Sequence, residues 1–76
     1  MAAWAFFYGS EEDVEMVYRY DSRNDLVAEF DHINYNCAKY NQQRYEAIEI
    51  DEETASGLIN GHEMLHGTLG DLWYVN

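Results

Sequence analysis

Three segments of the chain carry the apolar pattern that is typical of β-strands. Residues 2–8 (AAWAFFY) form a continuous apolar run that ends at Gly9, which predicts a central strand covered on both faces. Residues 14–20 (VEMVYRY) are rich in β-branched and aromatic side chains. They predict a second strand, joined to the first as a hairpin with an acidic connection. Residues 71–76 (DLWYVN) predict a closing strand.

Residues 44–61 (RYEAIEIDEETASGLING) predict a strand that is followed directly by a helix. Asp51 stands at the N-cap position, and two glutamates follow it in the first turn, where carboxylates suit the positive end of the helix dipole. Apolar residues then recur at helical spacing, and Gly61 supplies a left-handed stop. We expect the rest of the chain to fold around this β–α unit.

A longer helix is predicted to begin at Asp21 and Ser22. Its apolar stripe consists of Leu26, Val27, Phe30 and Ile33. Another face of the same helix carries Asp21, Asp25 and Glu29 at intervals of one helical turn, so that like charges repel each other along a column. The polar residues 34–43 either prolong the helix or form a loop, and the sequence leaves both alternatives open.

The order of predicted elements, β-β-α-β-α-β, defines the expected fold class. It predicts an α+β fold with a small three- to four-stranded, mostly antiparallel sheet and two helices on one face. The chain of 76 residues contains no proline, and no linker or repeat divides it, so we expect a single domain over residues 1–76.

The charge of the chain restricts its partners. Fifteen acidic residues oppose four basic ones, giving a net charge of −11. Direct binding to nucleic acid or to an anionic membrane needs a basic face, which this composition excludes. A basic protein partner is the natural complement, although acidity that serves solubility alone remains the alternative.

Neither the single cysteine nor any segment of the chain indicates export. Cys37 has no second cysteine with which to form an internal disulfide. The sequence has no signal-peptide pattern and no long apolar span. We therefore expect a soluble cytoplasmic protein that binds no cofactor.

The HEMLH pattern at residues 62–66 is the sharpest candidate for chemistry. On a helix, HExxH places two histidines one turn apart to hold zinc, and its glutamate activates the metal-bound water. Here glycines flank the pattern and no third ligand follows, so we expect no enzyme and a surface turn with Met64 and Leu65 packed inward. A zinc-binding domain or minimal metal-dependent hydrolase that uses His62 and His66 is the alternative.

Acidic clusters are the remaining candidate for a functional surface. The residues expected to contact a partner are Glu11, Glu12, Asp13, Glu15, Asp21, Asp25, Glu29, Glu49, Glu52 and Glu53. A protein that binds phosphates through lysine and arginine would also bind such an array of carboxylates. We expect this association to be fast and sensitive to salt.

In size, expected α+β fold, acidic clusters and lack of catalytic motifs, the chain resembles the small acidic inhibitors of phages and mobile elements. These are the anti-CRISPR and anti-restriction proteins that mimic nucleic acid. The resemblance implies a phage-encoded inhibitor that acts in the host cytoplasm and blocks a basic nucleic-acid-binding groove of a host defence complex. A small regulatory subunit that dimerises through an aromatic face is a further alternative.

Overall fold

Strands and helices alternate much as the apolar pattern predicts. The computed structural model describes residues 2–9, 15–39, 45–66 and 70–75, and it describes their side chains except at 36–39 and 66. Within these ranges the order is β-β-α-β-α-β-β. The strands and helices are β1 (Ala3–Tyr8), β2 (Glu15–Tyr20), α1 (Arg23–Lys39), β3 (Glu46–Ile50), α2 (Glu52–Ile59), β4 (Met64–His66) and β5 (Asp71–Tyr74).

The described strands form one antiparallel sheet in the order β3-β1-β2-β5-β4. β1 lies between β3 and β2, as its continuous apolar run predicts, and the β1–β2 hairpin is confirmed. The α+β class and the mostly antiparallel sheet are therefore confirmed. The sheet has five strands rather than three or four, because the short strand β4 was not predicted.

The two helices pack on opposite faces of the sheet, so the expectation of both helices on one face is wrong. Leu26 and Phe30 of α1 pack with Phe7 and Tyr18 on what we call the α1 face. Ala55 of α2 packs on the other face, the α2 face, whose buried residues are Trp4, Val17 and Trp73. Successive residues of a strand point to opposite faces. β1 carries apolar side chains on both faces of the sheet, so each face requires a covering helix.

α1 begins at the predicted place and continues to Lys39, so the first part of the polar segment 34–43 is helical. The backbone N–H of Asp25 donates to Ser22 Oγ at 3.3 Å, which caps the helix. Farther along, the side chain of the buried Asn34 accepts from the backbone N–H of Tyr45 at 2.8 Å and donates to the carbonyl oxygen of Tyr45 at 3.2 Å. These two bonds attach α1 to the start of β3.

α2 has the predicted cap and the predicted stop. The carboxylate of Asp51 accepts from the backbone N–H of Thr54 at 2.7 Å. Hydrogen bonds from the hydroxyl and the backbone N–H of Thr54 lower the pKa of Asp51. Gly61, just past the helix, has a φ of +83°, the left-handed conformation that favours glycine. Neither described helix is both long and apolar enough to cross a membrane.

The HEMLH pattern does not lie on a helix. Residues 64–66 form β4, and His62 precedes the strand. The HExxH zinc geometry depends on a helix, which rises about 1.5 Å per residue, whereas residues 64–66 form a strand, which rises about 3.3 Å per residue. Met64 and Leu65 are exposed, so the expectation that they pack inward is wrong.

Candidate partner-binding surface

The strand order brings the starts of both helices to the same end of the sheet. Tyr20, the last residue of β2, lies opposite Ala3, and Ile50, the last residue of β3, lies opposite Trp4. β2 and β3 therefore both end beside the start of β1, and each leads into a helix. β5 also begins at this end. Residues that are distant in the sequence consequently meet there.

Most of these residues are acidic, and we call this region the acidic end. Its carboxylates are those of Asp21, Asp25, Glu49, Asp51, Glu52, Glu53 and Asp71. Among the described side chains, Arg19 and Arg23 are the cations at this end, so negative charge predominates there. Carboxylates in the first turn of a helix are stabilised by the dipole, which offsets part of their mutual repulsion.

Arg23 neutralises one carboxylate at the surface. Its Nη1 lies 2.6 Å from Oε1 of Glu49, and both side chains are largely exposed. An exposed pair of this kind contributes about 1 kcal/mol at most, because water and salt screen it. Burial and the charge of Glu49 raise the pKa of the neighbouring Tyr20, and the charge of Arg23 opposes the shift.

Arg19 is held more firmly, between two tryptophans and a carboxylate. Its guanidinium carbon lies 5.6 Å from the ring centroids of both Trp4 and Trp73. The same group forms a salt bridge with Asp71. Cation–π contact with an exposed cation is worth about 0.5–1 kcal/mol per ring. The acidic end therefore already binds one guanidinium through a carboxylate and aromatic faces.

Two shallow depressions adjoin Arg19. One has a volume of about 380 Å³ and is lined by Ala2, Arg19, Tyr20, Asp21, Gly70 and Asp71. The other has a volume of about 360 Å³ and is lined by Ala2, Trp4, Arg19 and Glu52. Arg19 thus lines both depressions, together with Asp21 and Asp71 in the first and Glu52 in the second.

The predicted column of carboxylates, which begins just before α1 and continues along it, becomes progressively more buried. Asp21 is exposed and Asp25 is half-buried, but Glu29 is only 4% exposed. Oε2 of Glu29 and the hydroxyl of Tyr18 are buried, and neither has a hydrogen-bond partner among the described residues. Glu29 cannot reach a partner from this position, so its expected role in partner contact is wrong for the folded chain.

Of the other predicted contact residues, those that the structure describes lie at the acidic end, except for Glu15. Glu15 lies at the opposite end of the sheet, beside Tyr8. Glu46, which was not among the predicted contact residues, lies on the other side of Tyr8. Glu11, Glu12 and Asp13 lie outside the described residues. No group of three or more potential metal-binding side chains occurs among the described residues, which include His62.

Sequence reasoning missed the arrangement of Arg19 between Trp4 and Trp73. The residues lie on three strands, and the two tryptophans are close only because β5 pairs with β2 and β2 pairs with β1. The available signal was the alternation of side chains in each strand. The alternation places Arg19 on the more polar face of β2, but it does not identify the side chains of other strands that lie next to Arg19.

The fold is therefore an antiparallel sheet with one helix on each face and a strongly acidic end. No protein-family model, curated protein or solved structure that was compared with the chain matches it. The function of the acidic end must accordingly be inferred from its charges and its geometry.

Proposed function

We propose that this protein is an inhibitor that binds the basic surface of a nucleic-acid-binding protein and excludes the nucleic acid. The observation that carries the proposal is the acidic end, where the strand order collects carboxylates from both helix starts, β3 and β5. The proposal assigns no enzymatic activity. Its targets are positively charged grooves of the kind that bind phosphates.

Electrostatics supports a functional role for the acidic end. Like charges at close range destabilise a fold, and the two arginines described at this end offset only part of this repulsion. The helix dipoles account for carboxylates in the first turns, and Arg23 accounts for Glu49, but neither accounts for Asp21, which precedes α1. A basic partner would relieve the repulsion on binding and would be steered to this end during association.

The environment of Arg19 supports recognition of guanidinium groups. A partner arginine in either adjoining depression would meet Asp21 or Glu52 and an aromatic side chain. The charge of Arg19, which lines both depressions, is offset by its salt bridge with Asp71. Arginine is the residue that proteins commonly use to contact phosphate and carboxylate in a forked geometry. The same arginines that bind a nucleic-acid backbone would therefore bind the acidic end.

The class of target that we propose is a nucleic-acid-binding protein of a host defence complex. This choice follows the resemblance of the chain, in size and charge, to phage-encoded anti-CRISPR and anti-restriction inhibitors. The resemblance does not extend to a shared topology. The structural feature that supports this choice of target is therefore the acidic end alone. On this proposal the protein acts by steric exclusion and needs no cofactor.

The test is competition with nucleic acid. Proteins captured from a nuclease-treated bacterial lysate at low salt are identified and purified, and their DNA or RNA binding is measured with and without this protein. We expect the nucleic-acid affinity to fall as the protein is added, and the competition to weaken as salt is raised. The double variant Asp21→Asn/Glu52→Gln should compete about tenfold less well, because it loses one carboxylate from each depression.

The matched control is the double variant Asp31→Asn/Glu63→Gln, which removes the same charge from exposed positions away from the acidic end. It should compete as well as the unchanged protein. If captured proteins keep their full nucleic-acid affinity while bound, or if both double variants lose competition equally, the proposal is wrong.

A further inference from the structure

A strip of apolar side chains on the α2 face, next to the outer edge of β3, is partly exposed. It consists of Phe6, Tyr8 and Ile48, and we call it the apolar strip. Ile48 lies directly opposite Phe6 in the β1–β3 pair, and the rings of Phe6 and Tyr8 stack with centroids 5.8 Å apart. Ile48 is 50% exposed and Tyr8 is 38% exposed. Phe6 packs partly against the core beneath α2, so the strip extends that core to the surface.

Two carboxylates lie beside the Tyr8 end of the strip, on the same face of the sheet. Tyr8 lies between Glu46 of β3 and Glu15 of β2, each directly opposite it in the strand register. Residues that are opposite each other in an antiparallel pair share a face and lie about 5 Å apart. No described side chain in this row is cationic. The tyrosine ring is therefore an apolar surface with a negative charge on each side.

We propose that the apolar strip binds an amphipathic, cationic segment of the partner protein. Apolar side chains of the segment would cover Ile48 and Phe6. Lysine or arginine side chains would lie against Tyr8, where the ring face and the flanking carboxylates of Glu15 and Glu46 all favour a cation. This proposal rests on the proposed function, which supplies a basic partner. It adds an apolar contact to the charge attraction, and buried apolar contacts commonly contribute much of the binding energy of an interface.

Charge complementarity selects this occupant over a second copy of the chain. A copy would bring its own net charge of −11 against the same carboxylates, and at low salt the two would repel each other. Exposed apolar side chains that adjoin one another typically mark an interaction site. Here the acidic border restricts that site to a positively charged ligand.

The test uses synthetic peptides as probes of the unmodified protein. One peptide alternates lysine with leucine, a second alternates lysine with serine, and a third alternates glutamate with leucine. We expect the lysine–leucine peptide to bind most tightly, with NMR shifts centred on the strip. The variant Ile48→Ser should weaken its binding about tenfold, because about half of a large apolar side chain is lost from the contact. Binding of the lysine–serine peptide should not depend on Ile48.

The matched control is Val27→Ser on α1, since Val27 is also aliphatic and 49% exposed, and it should bind the lysine–leucine peptide like the unchanged protein. The variant Glu46→Gln supplies a second measurement and should weaken binding of both lysine peptides. The proposal is overturned if Ile48→Ser leaves the binding of the lysine–leucine peptide unchanged, if the glutamate–leucine peptide binds equally well, or if light scattering shows an Ile48-dependent dimer.

These outcomes are separate from those of the competition assay. If the strip is wrong and the proposed function is right, Asp21→Asn/Glu52→Gln impairs competition with nucleic acid and Ile48→Ser does not. If the proposed function is wrong, no nucleic-acid-binding protein is inhibited, whereas the lysine–leucine peptide still binds in an Ile48-dependent way.

Discussion

Tyr18 is the residue whose environment departs most from that of an ordinary surface tyrosine. It is fully buried, and its ring lies under Gly70, where a Cβ would overlap the carbonyl oxygen of Arg19 and come within 3.0 Å of the ring. Burial, followed by the charges of nearby carboxylates led by Glu29, raises the pKa of Tyr18 from 10.0 to about 12. The folded protein therefore strongly favours the neutral phenol.

This shift predicts a loss of stability in alkali. Because the pKa is higher in the folded state, the contribution of Tyr18 is complete below pH 10 and is lost as the pH rises through about 12. The loss amounts to about 3 kcal/mol of unfolding free energy. Tyr18→Phe should remove this component, and at neutral pH it should raise stability by about 1 kcal/mol, since an unpartnered buried hydroxyl disappears.

The measurement is urea unfolding at a series of pH values from neutral to alkaline. Tyr74→Phe is the matched control, because Tyr74 is an exposed tyrosine of β5, and this variant should keep the alkaline loss of the unchanged protein. A Tyr18→Phe variant that loses stability in alkali as steeply as the unchanged protein would contradict the explanation.

At the scale of elements, α2 shows how one residue type has opposite effects within a short segment. Gly57 lies inside the helix, and a Cβ there would meet no atom within 4 Å. Gly61 also has open space around it, but its φ of +83° strains any other residue. Glycine inside a helix costs backbone entropy, whereas glycine at the left-handed stop avoids a steric clash.

Alanine substitution should therefore change the free energy of unfolding in opposite directions at the two glycines. Gly57→Ala should raise the free energy of unfolding by about 0.5–1 kcal/mol, because alanine restricts the unfolded chain and favours the helix. Gly61→Ala should lower it by about 1 kcal/mol, because the left-handed backbone disfavours a Cβ. Thermal and urea unfolding of both variants provide the measurement. Effects of the same sign at both positions would show that the backbone conformation does not govern them.

At the scale of the whole molecule, the dominant quantity is uncompensated negative charge. The chain carries a net charge of −11, and its Cα atoms occupy a body of about 34 × 25 × 20 Å. Repulsion within such a body destabilises the folded state and is screened by salt over about 10 Å at 0.1 M ionic strength. The acidic end concentrates this repulsion, because both helix starts converge there.

Added salt should consequently stabilise the fold. We expect the free energy of unfolding to rise by about 1 kcal/mol between about 0.01 M and about 1 M sodium chloride. The gain should shrink in Asp21→Asn/Glu52→Gln by more than in Asp31→Asn/Glu63→Gln, which removes equal charge elsewhere. Urea unfolding at both salt concentrations measures this difference. Equal gains in the two variants would mean that the acids repel each other uniformly over the surface.

The sequence by itself determined the elements that depend on neighbours in the chain. The hairpin of β1 and β2, the cap of α2 at Asp51 and its stop at Gly61 all follow from local patterns of apolarity and backbone preference. β4 escaped prediction because a strand of three residues carries too little periodicity, and it exists only through its pairing with β5.

Only the tertiary structure decided which residues meet. The exposure of Val27 and Ile48, the burial of Glu29 and the position of Arg19 between two tryptophans depend on strand order and on the face that each helix covers. The same strand order brings the starts of α1 and α2 to one end. Local periodicity fixes the direction of a side chain relative to its own element, but long-range pairing between strands fixes its neighbours.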